Sequence, residues 1–114
     1  MELTIRHAGP DDAAIIYDFI VKLAVYEREP DAVTYAPTRL AEQMRRERPP
    51  FACLIAESGG APIGFALYFF TYSTWQGRET LYLEDFFVDD SMRGQGVGIA
   101  LFKRQADVID FLCE

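Results

Sequence analysis

The residues best equipped for chemistry stand close together toward the end of the sequence. Leu81-Tyr82-Leu83-Glu84-Asp85-Phe86-Phe87-Val88 is an apolar stretch interrupted by adjacent carboxylates, and it leads through Asp89-Asp90-Ser91-Met92 into Arg93-Gly94-Gln95-Gly96-Val97-Gly98. The order is strand, turn, helix. Alternate glycines let the backbone approach a ligand with no Cβ in the way, and the N–H groups of a helix start attract phosphate. The segment is therefore an anion cradle. A P-loop would end in Gly-Lys-Ser/Thr, but Gly98 is followed by Ile99 and Ala100. A dinucleotide fingerprint opening at Gly94 would need glycine or alanine where Ile99 stands. What fits is Arg-x-x-Gly-x-Gly over Arg93, Gly96 and Gly98, preceded by an apolar strand.

The elements that must position this segment can be read from periodicity. Glu2 to His7 alternates as a half-buried strand, with Leu3 and Ile5 on one face. Gly9, Pro10, Asp11 and Asp12 form a helix start, with Gly9 as N-cap, proline at the first position and acidic residues where the helix dipole favours them. Ile16, Phe19, Ile20 and Leu23 then recur as one buried helix face. That helix breaks in the polar stretch Glu27 to Asp31. A second, short helix is predicted from an N-cap at Thr38 to about Arg48, stopped by Pro49 and Pro50, with Leu40 and Met44 as a thin apolar stripe. Arg39, Arg45, Arg46 and Arg48 read as its solvated face. Phe51 to Glu57, Ile63 to Tyr72 and Thr80 to Val88 read as strands, the first two joined at Ser58-Gly59-Gly60. A last helix is predicted from about Val97 to Leu112, with Ala106, Ile109 and Leu112 facing inward. The order β, α, α, β, β, β, α predicts a mixed α/β fold with a mostly antiparallel sheet and flanking helices.

Half of the 114 residues are apolar and 14% are aromatic, enough for one core in a single domain. Lys and Arg number 11 against 18 Asp and Glu, a net charge of −7, which disfavours nucleic acid or an anionic membrane and suits a small cationic partner. Cys53 and Cys113 have neither metal-ligand spacing nor the look of a disulfide framework, so no metal is expected and a reducing compartment is. With no basic-then-apolar leader and no long apolar run, the expected location is the cytoplasm.

Arg93-x-x-Gly96-x-Gly98 resembles the pyrophosphate motif of the GNAT N-acetyltransferases. Leu23-Ala24-x-Tyr26-Glu27, Phe51-x-Cys53-Leu54-x-Ala56-Glu57, Gly64-Phe65-Ala66, Tyr68-Phe69-Phe70-Thr71-Tyr72 and Leu81 to Val88 are similar to the diamine acetyltransferase branch of that family. The resemblance implies the GNAT fold and acetyl-CoA as cosubstrate. It implies that the backbone of Phe86, Phe87 and Val88 lies along the acetyl-pantetheine arm, and that Arg93, Gly94, Gln95, Gly96, Val97, Gly98 and Ile99 surround the pyrophosphate. Glu84 matches the family's carboxylate that takes the substrate's proton, through water, and Glu84 and Asp85 would both attract the cation. Because neighbours on a strand point to opposite faces, only one of the two is expected to face the site, and that one is Glu84. Tyr26 and Glu27 match substrate-contacting positions, and Trp75 matches an aromatic near the amine channel. Polyamine-preferring relatives read Tyr-Asp-Pro-Trp where this chain reads Tyr72-Ser73-Thr74-Trp75, which resembles the relatives acting on thialysine-like amino acids.

Family members continue past the last helix into a further strand, a fourth helix and two more strands, and that region supplies a tyrosine that protonates the departing thiolate. The expectation is therefore one domain over residues 1–114 that lacks those C-terminal elements. Two functions follow from the resemblance. One is N-acetyl transfer to a primary amine of a small diamine, polyamine or thialysine- or lysine-like substrate, in a homodimer as is usual for the family. The other is a non-catalytic module that binds CoA or a homologous subunit.

Overall fold

The computed structural model describes residues 2–113, with side chains over residues 2–106. The elements are β1 (Leu3–His7), α1 (Ala13–Tyr26), α2 (Pro37–Met44), β2 (Ala52–Ser58), β3 (Ala61–Ser73), β4 (Arg78–Val88) and α3 (Val97–Cys113), with short 3-10 turns at Pro10–Asp12 and Asp90–Met92. The strands form an antiparallel sheet in the order β1-β2-β3-β4. This is the mixed α/β arrangement that the sequence predicts.

Both faces of the sheet are covered, which is why the middle of β2, Cys53 to Ala56, is continuously apolar and fully buried. Cys53, Ile55, Phe65, Leu67 and Phe87 meet Ile16 and Phe19 of α1 and Leu40 of α2. Phe19 stacks on Phe65 with centroids 5.2 Å apart. On the other face, Leu54, Ala66, Tyr68 and Val88 meet Val97 and Leu101 of α3. The stripe that α3 turns inward is Val97, Leu101 and Gln105, whereas Ala106 is exposed, contrary to expectation. Ile109 and Leu112 lie outside the residues whose side chains are described.

The start of α1 is fixed by a charged clamp. Gly9 N–H donates to Asp12 Oδ2 at 2.8 Å, and the same carboxylate receives two bonds from the Arg6 guanidinium, each 2.8 Å. Arg6 Nε also donates to Glu57 Oε1 at 2.8 Å, so one arginine ties β1 to the first helical turn and to β2. The second helix starts earlier and ends sooner than predicted. Pro37 takes its first position and Ala36, rather than Thr38, its N-cap. Its end at Met44 reflects the residues that follow, since Arg45 to Arg48 are all exposed and offer nothing to bury.

Two details of the β3–β4 hairpin set up the site. A Cβ on Gly64 would lie 2.9 Å from the Phe87 carbonyl oxygen, so glycine there lets β4 close onto β3. Farther along, Leu67 pairs with Asp85 but Tyr68 pairs with Leu83, which leaves Glu84 as an extra residue, a β-bulge. The bulge reverses the alternation. Leu81, Leu83 and Phe86 all pack on the α3 side, although Leu83 and Phe86 are three residues apart and a regular strand would separate them.

Candidate active site

β4 carries one cleft along its C-terminal residues and meets another just before them. The first is a groove of ≈ 460 Å³ between β4 and the start of α3, walled by Phe86, Phe87 and Val88, by Tyr26 of α1, and by the turn from Arg93 to Ile99. Gly94 and Gly96 both have φ of +82°, in the left-handed region that side chains disfavour. Ala100 N–H donates to Gly96 O at 3.0 Å, which makes Gly96 the cap of α3. The N–H groups of Val97, Gly98 and Ile99 then have no carbonyl one turn earlier to bond, and all three residues border the groove. Gly98 serves packing as well. A Cβ there would sit 3.4 Å from the Phe86 ring, which stacks on Phe102 at 4.7 Å and so seats the helix against β4. This turn and helix start lie where the spacing predicts an anion cradle.

Arg93 lines the groove with its side chain committed elsewhere. Nε donates to Val88 O at 3.1 Å, a terminal nitrogen pairs with Asp90 at 2.7 Å, and the guanidinium lies 4.8 Å over the Tyr26 ring and 5.5 Å over Phe87. In this state it fastens the glycine turn to the end of β4. Gln95 is exposed, and its amide donates to Ser91 O at 3.5 Å.

The second cleft, ≈ 340 Å³ and open to solvent, lies where β4 faces α1 and α2. Both Glu84 and Asp85 line it. The expectation that only one of these neighbours faces the site is corrected here, because the bulge suspends the alternation on which it rested. Asp85 is partly buried. Burial pushes its carboxyl above the usual carboxylate range, and the nearby charges of Glu84 and Glu27 push it the same way. Glu84 is exposed at the mouth. Glu27 caps the end of α1, its N–H donating to Leu23 O at 2.9 Å, and Tyr26 beside it reaches the groove next to α3 instead.

Trp75 is not brought to either cleft within this chain. It is 99% exposed in the turn between β3 and β4, and the strand from Arg78 to Asp85 carries it on the order of 25 Å away, at about 3.4 Å per residue. Two cleft residues were missed by sequence reasoning. Tyr35 and Arg39 line the same space as the carboxylates; Arg39 is exposed, as its solvated-face reading predicts, and borders the cleft as well, whereas Arg45, Arg46 and Arg48 lie beyond the end of α2. Their i, i+4 spacing across the proline-started first turn of α2 was the available signal.

Comparison with known proteins agrees with this geometry. Residues 16–108 match the model of the acetyltransferase (GNAT) family, which spans most of the chain. The chain belongs to the GNAT acetyltransferases. Thialysine N-epsilon-acetyltransferase of Bos taurus is 39% identical over 112 residues, covering 91% of this chain and 65% of that protein. Spermidine/spermine N(1)-acetyltransferase-like protein 1 of Homo sapiens is also 39% identical, over 111 residues, covering 91% of this chain and 16% of its own length. These relatives agree with the diamine acetyltransferase branch. The chain spans 65% of the length of the thialysine acetyltransferases of cattle and pig. Among solved structures, ribosomal-protein-alanine N-acetyltransferase from Brucella melitensis biovar Abortus 2308 superposes with a TM-score of 0.78 at 16% identity, covering 99% of this chain and 75% of that one. An aminoglycoside acetyltransferase from a soil metagenome gives 0.77 at 15% identity, covering 93% and 68%. At such identities these two establish the shared GNAT fold. Among the described residues there is no group of His, Cys, Asp and Glu that could hold a metal, and no helix is long and apolar enough to cross a membrane.

Proposed function

We propose that this GNAT domain transfers the acetyl group of acetyl-CoA to a primary amine of a small diamine, polyamine or thialysine- or lysine-like substrate. The observation that carries this reading is the layout of β4. Phe86 to Val88 wall a groove ending in free helix-start amides, and the two residues before them are carboxylates in a separate cleft. An anionic carrier and a cationic acceptor would thus meet along one strand. Acetyl-CoA, when bound, supplies the activated acyl thioester.

The chain's own residues have three tasks. The amides of Val97 to Ile99, with the turn of Gly94 and Gly96, hold the pyrophosphate. The outer edge of β4 has no strand partner among the described residues, so backbone N–H groups there are free to hold the pantetheine arm and the thioester carbonyl. The acceptor, an ammonium with a pKa near ~10.4 if lysine-like, must lose a proton before it attacks. Glu84 takes that proton through water at the cleft mouth, while Asp85 holds the cation deeper in. The family resemblance implies a homodimer, and the cysteines, without metal-ligand spacing or a disulfide framework, suit a reducing compartment such as the cytoplasm.

Calorimetric titration with acetyl-CoA, followed by thiol release on adding lysine, thialysine or spermidine, tests this. Binding with release is expected. Glu84→Gln should slow release by about 10²-fold or more with CoA affinity retained. An unaltered rate and pH profile would remove Glu84 from the reaction. Binding without release would identify a CoA-binding module, and no binding would remove the cradle itself.

A further inference from the structure

Building on the acetyltransferase function proposed above, on which this rests, we infer that Arg39 reads a carboxylate on the acceptor. The cleft would therefore select an amino acid with a distal primary amine over a plain diamine of the same length. Arg39 stands on the first turn of α2 and lines the cleft across from Glu84 and Asp85 of β4. Its guanidinium lies over the Tyr35 ring, 5.8 Å from the centroid, and Tyr35 is in turn braced edge-on by Tyr17 at 5.8 Å. A guanidinium laid on an aromatic face keeps its N–H edge available for in-plane, bidentate bonding to a carboxylate.

That edge is unused. Among the described residues the Arg39 guanidinium has no ion pair and no hydrogen-bond acceptor, unlike those of Arg6 and Arg93, which are held by carboxylates. Arg39 is exposed and hydrated at rest, but its place in a cleft with two carboxylates needs a reason, because it repels the cation that they attract.

Charge bookkeeping supplies one. The ionisable groups lining the cleft are Glu84, Asp85, Arg39 and Tyr35, which with the phenol neutral is two negative charges against one positive. Glu27 acts on Asp85 from outside the lining. A protonated diamine brings two positive charges and must place one against Arg39 or leave it in solvent. A lysine-like zwitterion brings two ammonium groups and one carboxylate, the mirror image of the lining. Ile20, Leu40, Phe51 and Leu67 line the same cleft and offer an apolar wall to the aliphatic chain of such a ligand. Like-charge contact is an efficient way to reject the wrong ligand.

Lysine and cadaverine, which is lysine without its carboxylate, isolate the feature. Binding of each by calorimetry, and kcat/KM for each with acetyl-CoA, are compared in the wild type, Arg39→Gln, Arg39→Lys and Arg39→Glu. The wild type should prefer lysine, Arg39→Gln should lower the lysine-to-cadaverine ratio about tenfold, Arg39→Lys should keep part of it and Arg39→Glu should reverse it. A ratio that stays constant across variants with native circular dichroism overturns the inference. The two levels separate cleanly. A ratio that moves in binding without acetyl transfer to either amine keeps the carboxylate reader and removes the reaction, whereas transfer to both amines at a fixed ratio does the opposite.

Discussion

Asp85 shows at the scale of one residue how the fold alters chemistry. Its carboxyl is pushed upward by burial and by the charges of Glu84 and Glu27. A carboxyl with a raised pKa in the folded state binds its proton more readily there than in the unfolded chain. Its contribution to stability is therefore present at low pH and is lost as pH rises through the folded value. Asp85→Asn should raise the melting temperature at neutral pH, and the gain should vanish below the unfolded carboxylate pKa of about 3.9. Melting curves that shift equally at every pH would show that Asp85 carries no such penalty. A cationic ligand relieves the same penalty, so this strain at rest is complementary to amine binding. Glu84 and Asp85 were visible in the sequence as a carboxylate pair, but their shared direction was not, because alternation is a rule for regular strands and the bulge is a property of how β4 pairs with β3. Arg39 was hidden for another reason. An exposed arginine on a short helix is seen to border a cleft only once the sheet beneath it is known.

At the scale of elements, most of the architecture was legible. Strong alternation, long apolar runs and the Gly-Pro-Asp-Asp helix start gave the order of strands and helices, and the glycine spacing gave the turn that opens α3. The margins of α2 were not, since Thr38 is a good cap by type but Pro37 already fits the first helical position. Trp75 stands far from both clefts of its own chain, because a motif says which residue is present but not how far an extended hairpin carries it. Gly64 links the sheet to the site. Alanine there would meet the Phe87 carbonyl oxygen, and relief requires β4 to move at the residues that wall the groove. Gly64→Ala should cost about 1–3 kcal/mol in urea unfolding and weaken acetyl-CoA binding, although residue 64 does not line the groove. Loss of stability with full CoA affinity would mean that the groove tolerates the shift.

Across the whole molecule, Arg6 ties together segments that are far apart in sequence through Asp12 and Glu57. Its hydrogen bonds hold the Asp12 carboxyl below the ordinary range, against the opposing effect of burial. A lowered carboxyl contributes stability above its unfolded pKa and loses it as pH falls through the folded value. Arg6→Ala should thus cost on the order of 1 kcal/mol near pH 7, given the partial exposure of the clamp, and much less near pH 2. Urea midpoints at the two pH values check this, and an equal loss at both would assign the effect to packing of the arginine stem. The extra residue at Glu84 matters at this scale as well, for it gives β4 two reading frames. Up to Leu83 the odd-numbered positions face the α3 layer, and from Asp85 onward they face α1 and α2. A substitution at 84 leaves both frames intact, so the side chain there is free to follow the chemistry. Removal of residue 84 itself would restore regular alternation, with Leu81 and Leu83 still on the α3 side and Asp85 and Phe87 still facing α1 and α2, while taking one carboxylate from the cleft. The bulge is thus the place where the strand gains a second acidic side chain without disturbing either apolar layer.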